Sequence, residues 1–196
     1  MTSAPIHRLV VAISGASGAV YGIRTLEVLA ERPDVETHLI VSDGARATIA
    51  HETDRELEEI LGLADHVHDI KNLGAPIASG SFTTSGMVVI PCSIKSLSAI
   101  ANSFNDNLLV RAADVSLKER RRLVLVVRET PLNLTHLRLA TEVTMAGAVV
   151  LPPVPAFYTH PREIVDIVDQ TVAKVLSQFS IDVGVASRWE GIDLTL

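Results

Sequence analysis

The stretch Arg8-Leu9-Val10-Val11-Ala12-Ile13-Ser14-Gly15-Ala16-Ser17-Gly18-Ala19 decides the fold. An unbroken apolar run passes into a cluster of small residues and then into a helical pattern carried by Tyr21, Ile23, Leu26 and Leu29. A strand that is apolar without alternation is buried on both faces, as in parallel sheets. Small residues at the turn let backbone approach backbone and leave N–H groups at the helix N-terminus, where the helix dipole favours an anion. A dinucleotide fingerprint requires G-x-G-x-x-G, and Ser17 stands where its second glycine belongs. A mononucleotide with one phosphate, such as FMN, suits the turn better. A tight strand-to-helix connection without a ligand is the other reading, and the turn alone does not choose between them.

The same alternation continues along the chain. Val35–Val41 reads as a second strand, followed by helices from Asp43 to about His51 and from Asp54 to Leu63. Residues 71–86, rich in Gly, Ala, Ser and Thr, read as a long loop with few large side chains, able to fold over a flat ring. Met87–Ile90 is a buried strand stopped by Pro91, and Ser96 to Arg122 reads as two helices broken near Asn102–Asn107. Leu123–Val127 is another buried strand, followed by a helix over 133–145, a short strand at 148–151 and a last helix from Pro161 to about Phe179. The expected fold is a three-layer α/β, Rossmann-like (flavodoxin-like) architecture with a mostly parallel sheet and helices on both faces. One domain over 1–196 is expected, with a C-terminal extension over 183–196.

Composition bounds the function. A net charge of −6 disfavours general nucleic-acid binding. The single cysteine, Cys92, precludes an intrachain disulfide and fits a reducing, cytoplasmic setting; it reads as a buried small residue rather than a nucleophile. No apolar run reaches the ~20 residues that span a bilayer, and the N-terminus has no signal-peptide pattern. A mean hydropathy of +0.32 is high enough to be explained by apolar surface buried between subunits, or by an interior rich in Ala and Val. The seven histidines show no metal-ligand spacing, and no D-D-x-x-D element is present.

Ligands of doubly wound sheets bind beyond the C-terminal strand ends. The residues there are Ser14 to Gly18, Ser42, Cys92 to Lys95, Arg128 and Glu129, and Pro152 to Tyr158. Hydroxyls, cations, a carboxylate and a phenol therefore gather on one rim. Taken alone, Ser42 reads equally as an N-cap, the basic run Lys118 to Arg122 as a complement to a helix C-terminus, and Glu129 as half of an ion pair with Arg128.

The strings Gly15-Ala16-Ser17-Gly18-Ala19, Pro91-Cys92-Ser93, Arg111 to Arg120, Arg128-Glu129-Thr130-Pro131-Leu132, Pro152 to Tyr158 and Arg188-Trp189-Glu190-Gly191 resemble, in order, the UbiX family of flavin prenyltransferases. The resemblance implies transfer of a dimethylallyl group from dimethylallyl phosphate to N5 and C6 of reduced FMN, without a metal, to make prenylated FMN for UbiD-type decarboxylases. It implies FMN contacts at Gly15, Ala16, Ser17, Ser42, Ser93, Ile94, Lys95, Ser96 and Arg128. It implies a prenyl-phosphate pocket of Lys118, Arg128, Tyr158 and Lys174, with Glu52 facing it from a neighbouring subunit. Catalytic roles fall on Glu129 as the acid–base group, Ser17 as a proton relay and Lys118 as a fixed cation. Lys174 stands where many relatives carry arginine, which keeps the charge but loses the planar fork. Where some relatives place a tryptophan in the 71–86 loop, this chain has Leu73 and Phe82. Trp189, the only tryptophan, is expected to pack on another subunit of a homo-oligomer, commonly a dodecamer. The competing functions are an FMN-dependent cysteine decarboxylase, whose P-x-M-N-x-x-M-W element and histidine are absent, and a non-catalytic FMN carrier, which needs no prenyl-phosphate pocket.

Overall fold

The computed structural model describes residues 7–185 and 191. The expected C-terminal extension therefore lies largely, and Trp189 wholly, outside the described residues.

Six strands form one sheet: β1 (His7–Ile13), β2 (Val35–Val41), β3 (His66–His68), β4 (Gly86–Cys92), β5 (Arg122–Val127) and β6 (Val149–Val150). Their spatial order is β3-β2-β1-β4-β5-β6, and all five pairings are parallel. This is the doubly wound order, whose switch point lies between β1 and β4. The helices are α1 (Ala19–Ala30), α2 (Asp43–Glu52), α3 (Leu57–Leu61), α4 (Ile94–Ala101), α5 (Leu108–Lys118), α6 (Leu134–Met145) and α7 (Ile164–Ser177).

The apolar strands divide between two cores as a pleat requires. Leu9, Val11 and Ile13, with Val88, Ile90, Val124 and Val126, face α1 and α7. Val10 and Ala12, with Met87, Val89, Leu123 and Leu125, face α4, α5 and α6. Both faces are covered, which is why these strands carry no polar alternation.

The structure departs from sequence expectation at particular points. Strand β3 falls in residues to which the sequence assigned no element, and β4 runs on through Pro91 to Cys92 with a register shift after Val89, because proline has no N–H for the ladder. The helix expected from Asp54 is only Leu57–Leu61, since Glu56 is still extended. Arg55 there pairs with Glu27 and Glu59. Helix α4 starts at Ile94 because the Ser93 side chain caps it. Helix α7 starts at Ile164, where the Glu163–Asp166 capping box fixes its entry. The segment 71–86 runs beside α5, with Arg111 Nε donating to Ala78 O and Arg121 to Phe82 O and Gly80 O. Phe82 meets the edge of His38 near the sheet's N-terminal half, so it does not cover the rim.

Gly22 sets how closely α1 lies on the sheet: a Cβ there would fall 2.5 Å from Ile90 O and 2.9 Å from Ile13 Cγ1. Gly22→Ala gains ~1 kcal/mol of helix propensity but must lift α1 off β1 and β4. Chemical denaturation is expected to show a net loss of ~1–3 kcal/mol; a stabilised variant would contradict this packing.

Candidate functional site

Four turns meet at the switch point. Ser14, 1% exposed, donates from Oγ to Pro91 O at 2.9 Å and accepts from Ser93 N at 2.7 Å. One hydroxyl thereby ties the turn after β1 to the turn after β4. Ser42 N donates to Ile13 O at 3.0 Å, and Arg128 N donates to Cys92 O at 3.1 Å, which brings in the turns after β2 and β5. Gly15 lies against Gly44, where an added Cβ would come within 2.9 Å of Gly44 backbone atoms. Only a glycine lets the first turn lie this close to the start of α2.

The N-termini of α1, α2 and α4 consequently open on one crevice at the C-terminal edge of the sheet. Gly18 enters α1 in the left-handed region, at φ 100°, and supplies no side-chain cap. Ser42 Oγ accepts from Ala45 N at 3.1 Å, and Ser93 Oγ accepts from Ser96 N at 3.2 Å. Both serines therefore cap helices while their hydroxyls border the crevice. Ile94, Lys95 and Ser96 form the first turn of α4, with Lys95 exposed.

The chain itself places an anion at this junction. Glu52, at the end of α2, accepts from Gly18 N at 2.8 Å and Ala19 N at 3.0 Å. This contact is made within one chain, between the end of α2 and the start of α1. Desolvation works to raise its pKa. Hydrogen bonds from the Ser17 side chain and from the Gly18 and Ala19 amides, with the charge of Arg128, outweigh it and hold the carboxyl below its ordinary value. The contact is thus at full strength above the ordinary carboxylate range and is lost as pH falls through the lowered value. Ser17, Glu52 and Arg128 are gathered by this one cluster.

Glu129 follows Arg128 on the exposed rim, and its Oε1 accepts from Thr130 N at 3.0 Å. Among the described residues no Arg128–Glu129 ion pair forms. Tyr158 lies in the 3₁₀ turn Phe157–Thr159 beyond β6, half exposed. Cys92 is fully buried, and burial pushes its thiol up to about 12, which leaves it protonated and unreactive.

Lys118 and Lys174 are not brought to this rim by their own chain. Helix α5 runs against the strand direction, so Lys118 in its last turn sits at the N-terminal edge, paired with Glu119 beside Gly80. Helix α7 also runs against the strands and ends near Phe179, whose ring lies beside Gly86 at the start of β4. Lys174, exposed in its last turn, therefore lies away from Ser17 and Glu129.

A doubly wound sheet with helix N-termini crowded at its switch point defines an α/β protein of the nucleotide-binding type. The family model described as Flavoprotein matches residues 2–176. The flavin prenyltransferase UbiX of Thauera aromatica is 61% identical over 94% of both chains. The crystal structure of AnUbiX (PadA1) in complex with FMN and dimethylallyl pyrophosphate matches with a TM-score of 0.93 and 53% identity, covering 96% of this chain and 100% of that one. A dodecameric FMN-dependent UbiX-like decarboxylase from Escherichia coli O157:H7 matches with a TM-score of 0.92 and 47% identity, over 94% of this chain and 100% of that one. The chain belongs to the flavoprotein family and, within it, to the UbiX flavin prenyltransferases.

Ser14 is the residue that sequence reasoning left among the rim residues without a task. Its signal is a hydroxyl directly after a buried strand, where apolar neighbours leave it only backbone partners. Ser14→Ala leaves the Ser93 amide and Pro91 carbonyl without this partner. The expected loss on chemical denaturation is ~1–3 kcal/mol; unchanged stability would show that the bridge does not tie the turns.

Proposed function

We propose that this chain is a metal-independent flavin prenyltransferase, transferring the dimethylallyl group of dimethylallyl phosphate to N5 and C6 of reduced FMN. The observation that carries this reading is the crevice where three helix N-termini meet beside Arg128 and Glu129, in a chain 61% identical to a flavin prenyltransferase. The donor set suits FMN. Glu52 already demonstrates that the Gly18 and Ala19 amides bind an oxyanion, and the turns of Gly15 to Ser17, Ser42 and Ser93 to Ser96 offer amides and hydroxyls for phosphate and ribityl oxygens.

Reduced FMN, when bound, supplies the nucleophilic N5 and C6. The chain's residues hold the other partner. Breaking the donor's C–O bond places negative charge on the departing phosphate, and cations already fixed in position stabilise it without reorganising. This reading gives Arg128 the planar fork and Lys118, Tyr158 and Lys174 the remaining contacts. Because Lys118 and Lys174 lie away from the rim of their own chain, they serve the pocket of an adjoining copy in a homo-oligomer, a dodecamer like the E. coli O157:H7 relative. Glu129 takes the proton leaving C6 and returns one to the isoprenoid carbon, Ser17 relays protons, and Glu52 anchors the turn while facing the pocket. The protein works in the cytoplasm and passes its product to a UbiD-type decarboxylase.

Anaerobic incubation with reduced FMN and dimethylallyl monophosphate, or the diphosphate, is expected to add one C5H8 unit to the flavin, read by mass spectrometry. Tightly bound but unmodified FMN with both donors would overturn the reading in favour of a carrier. Glu129→Gln is expected to keep FMN affinity and slow product formation by ~10²–10⁴-fold; an unchanged rate would remove Glu129 from proton transfer.

A further inference from the structure

At the β3 edge of the sheet, four side chains that the flavin reaction does not use meet on one face. The parallel register sets His38 of β2 opposite His66 of β3, and Ile40 opposite His68. Glu36, two residues before His38, shares that face. Glu36 Oε1 lies 3.1 Å from His38 Nε2 and 3.3 Å from His66 Nε2. One ligand atom from each of these three residues lies within 4.8 Å of the others. Ligands held at ~2.0–2.1 Å around a tetrahedral zinc ion are ~3.3 Å apart, so both nitrogens already stand at bridging distance from the carboxylate oxygen.

The surroundings hold these groups in place. Glu36 Oε2 accepts from Arg8 Nε at 3.0 Å, which leaves Oε1 turned to the two imidazoles. His38 Nδ1 lies 3.0 Å from His68 Nε2, and the edge of the His38 ring meets Phe82 at 5.2 Å between centroids. An outer partner on the second ring nitrogen is the usual way a protein fixes a metal-binding imidazole. His38 is 4% exposed and His66 52%, so the site is anchored inside and open on one side.

We propose that Glu36, His38 and His66 bind one divalent late transition-metal ion, zinc by donor class, and that the ion pins the edge strand β3 to β2. Two imidazoles and one carboxylate suit zinc and leave a fourth position for water. Ion binding at His38 Nε2 puts that ring's proton on Nδ1, donated to His68 Nε2, and His68 then carries its own proton on Nδ1. The site lies in the first half of β2, away from the strand ends that carry the flavin site, so the reaction's independence of metal is untouched.

The test uses the untagged, chelator-stripped full chain, titrated with Zn²⁺ by calorimetry and with Co²⁺ by visible absorption. One ion per chain is expected, with the visible bands of low-coordinate Co²⁺. His66→Ala and Glu36→Gln are each expected to weaken binding by ~10–100-fold or more. Zinc at a hundred times the parent protein's Kd is expected to raise the melting temperature of the parent by ~5–10 °C and that of His66→Ala by about half as much or less. His66 is half exposed, so its removal should leave the sheet intact, and unchanged FMN affinity in the variant checks this. Absence of binding by the parent protein would overturn the proposal, as would binding of equal strength in both variants.

Discussion

Three helices begin within one crevice because β1, β2 and β4 end there side by side. The chain must reconcile their unsatisfied N–H groups and aligned dipoles with one another. Ser42 and Ser93 cap α2 and α4 from within their own turns, but Gly18 has no side chain to do so for α1, and Glu52 crosses from the end of α2 to its first amides. The site is therefore an electrostatic requirement of the topology before it is a binding site. The same geometry that makes the turn costly to leave unpaired makes it fit for a phosphate.

The rest of the structure serves that convergence. Two cores, one on each face, hold the strands in register, and the interiors of β1, β4 and β5 are apolar, with polar groups gathered beyond their ends. Ser14 is buried there, and its position lets one hydroxyl join two turns. Gly15 and Gly44 let the third turn close against the first, where any larger residue would hold them apart.

Much of this was legible in the sequence because it is local. The apolar runs at 8–13, 35–41 and 123–127, and the small-residue turn after the first, declare buried strands and a phosphate-sized turn from adjacent residues alone. Long-range pairing was not legible. Strand β3 has only three residues, two of them histidine, and is a strand only because β2 lies beside it. Glu36, His38, His66 and His68 looked scattered because nearly thirty residues separate the two pairs that register unites. Lys118 and Lys174 illustrate a different gap. Resemblance grouped them with the rim, whereas each sits in the last turn of a helix running against the strands and lands at the other edge. A basic residue just before a buried strand is a usable signal for that edge, and it points to assembly as the way such a residue joins a pocket.

The central claim is that the flavin is held through its phosphate at these helix termini. The most direct measurement is the affinity of the protein for FMN against riboflavin, by titration of flavin fluorescence. Charge-assisted hydrogen bonds to the phosphate predict binding of FMN tighter by ~100-fold or more. Equal affinity for the two flavins would contradict the account, since the crevice would then be recognising the ring and not the phosphate.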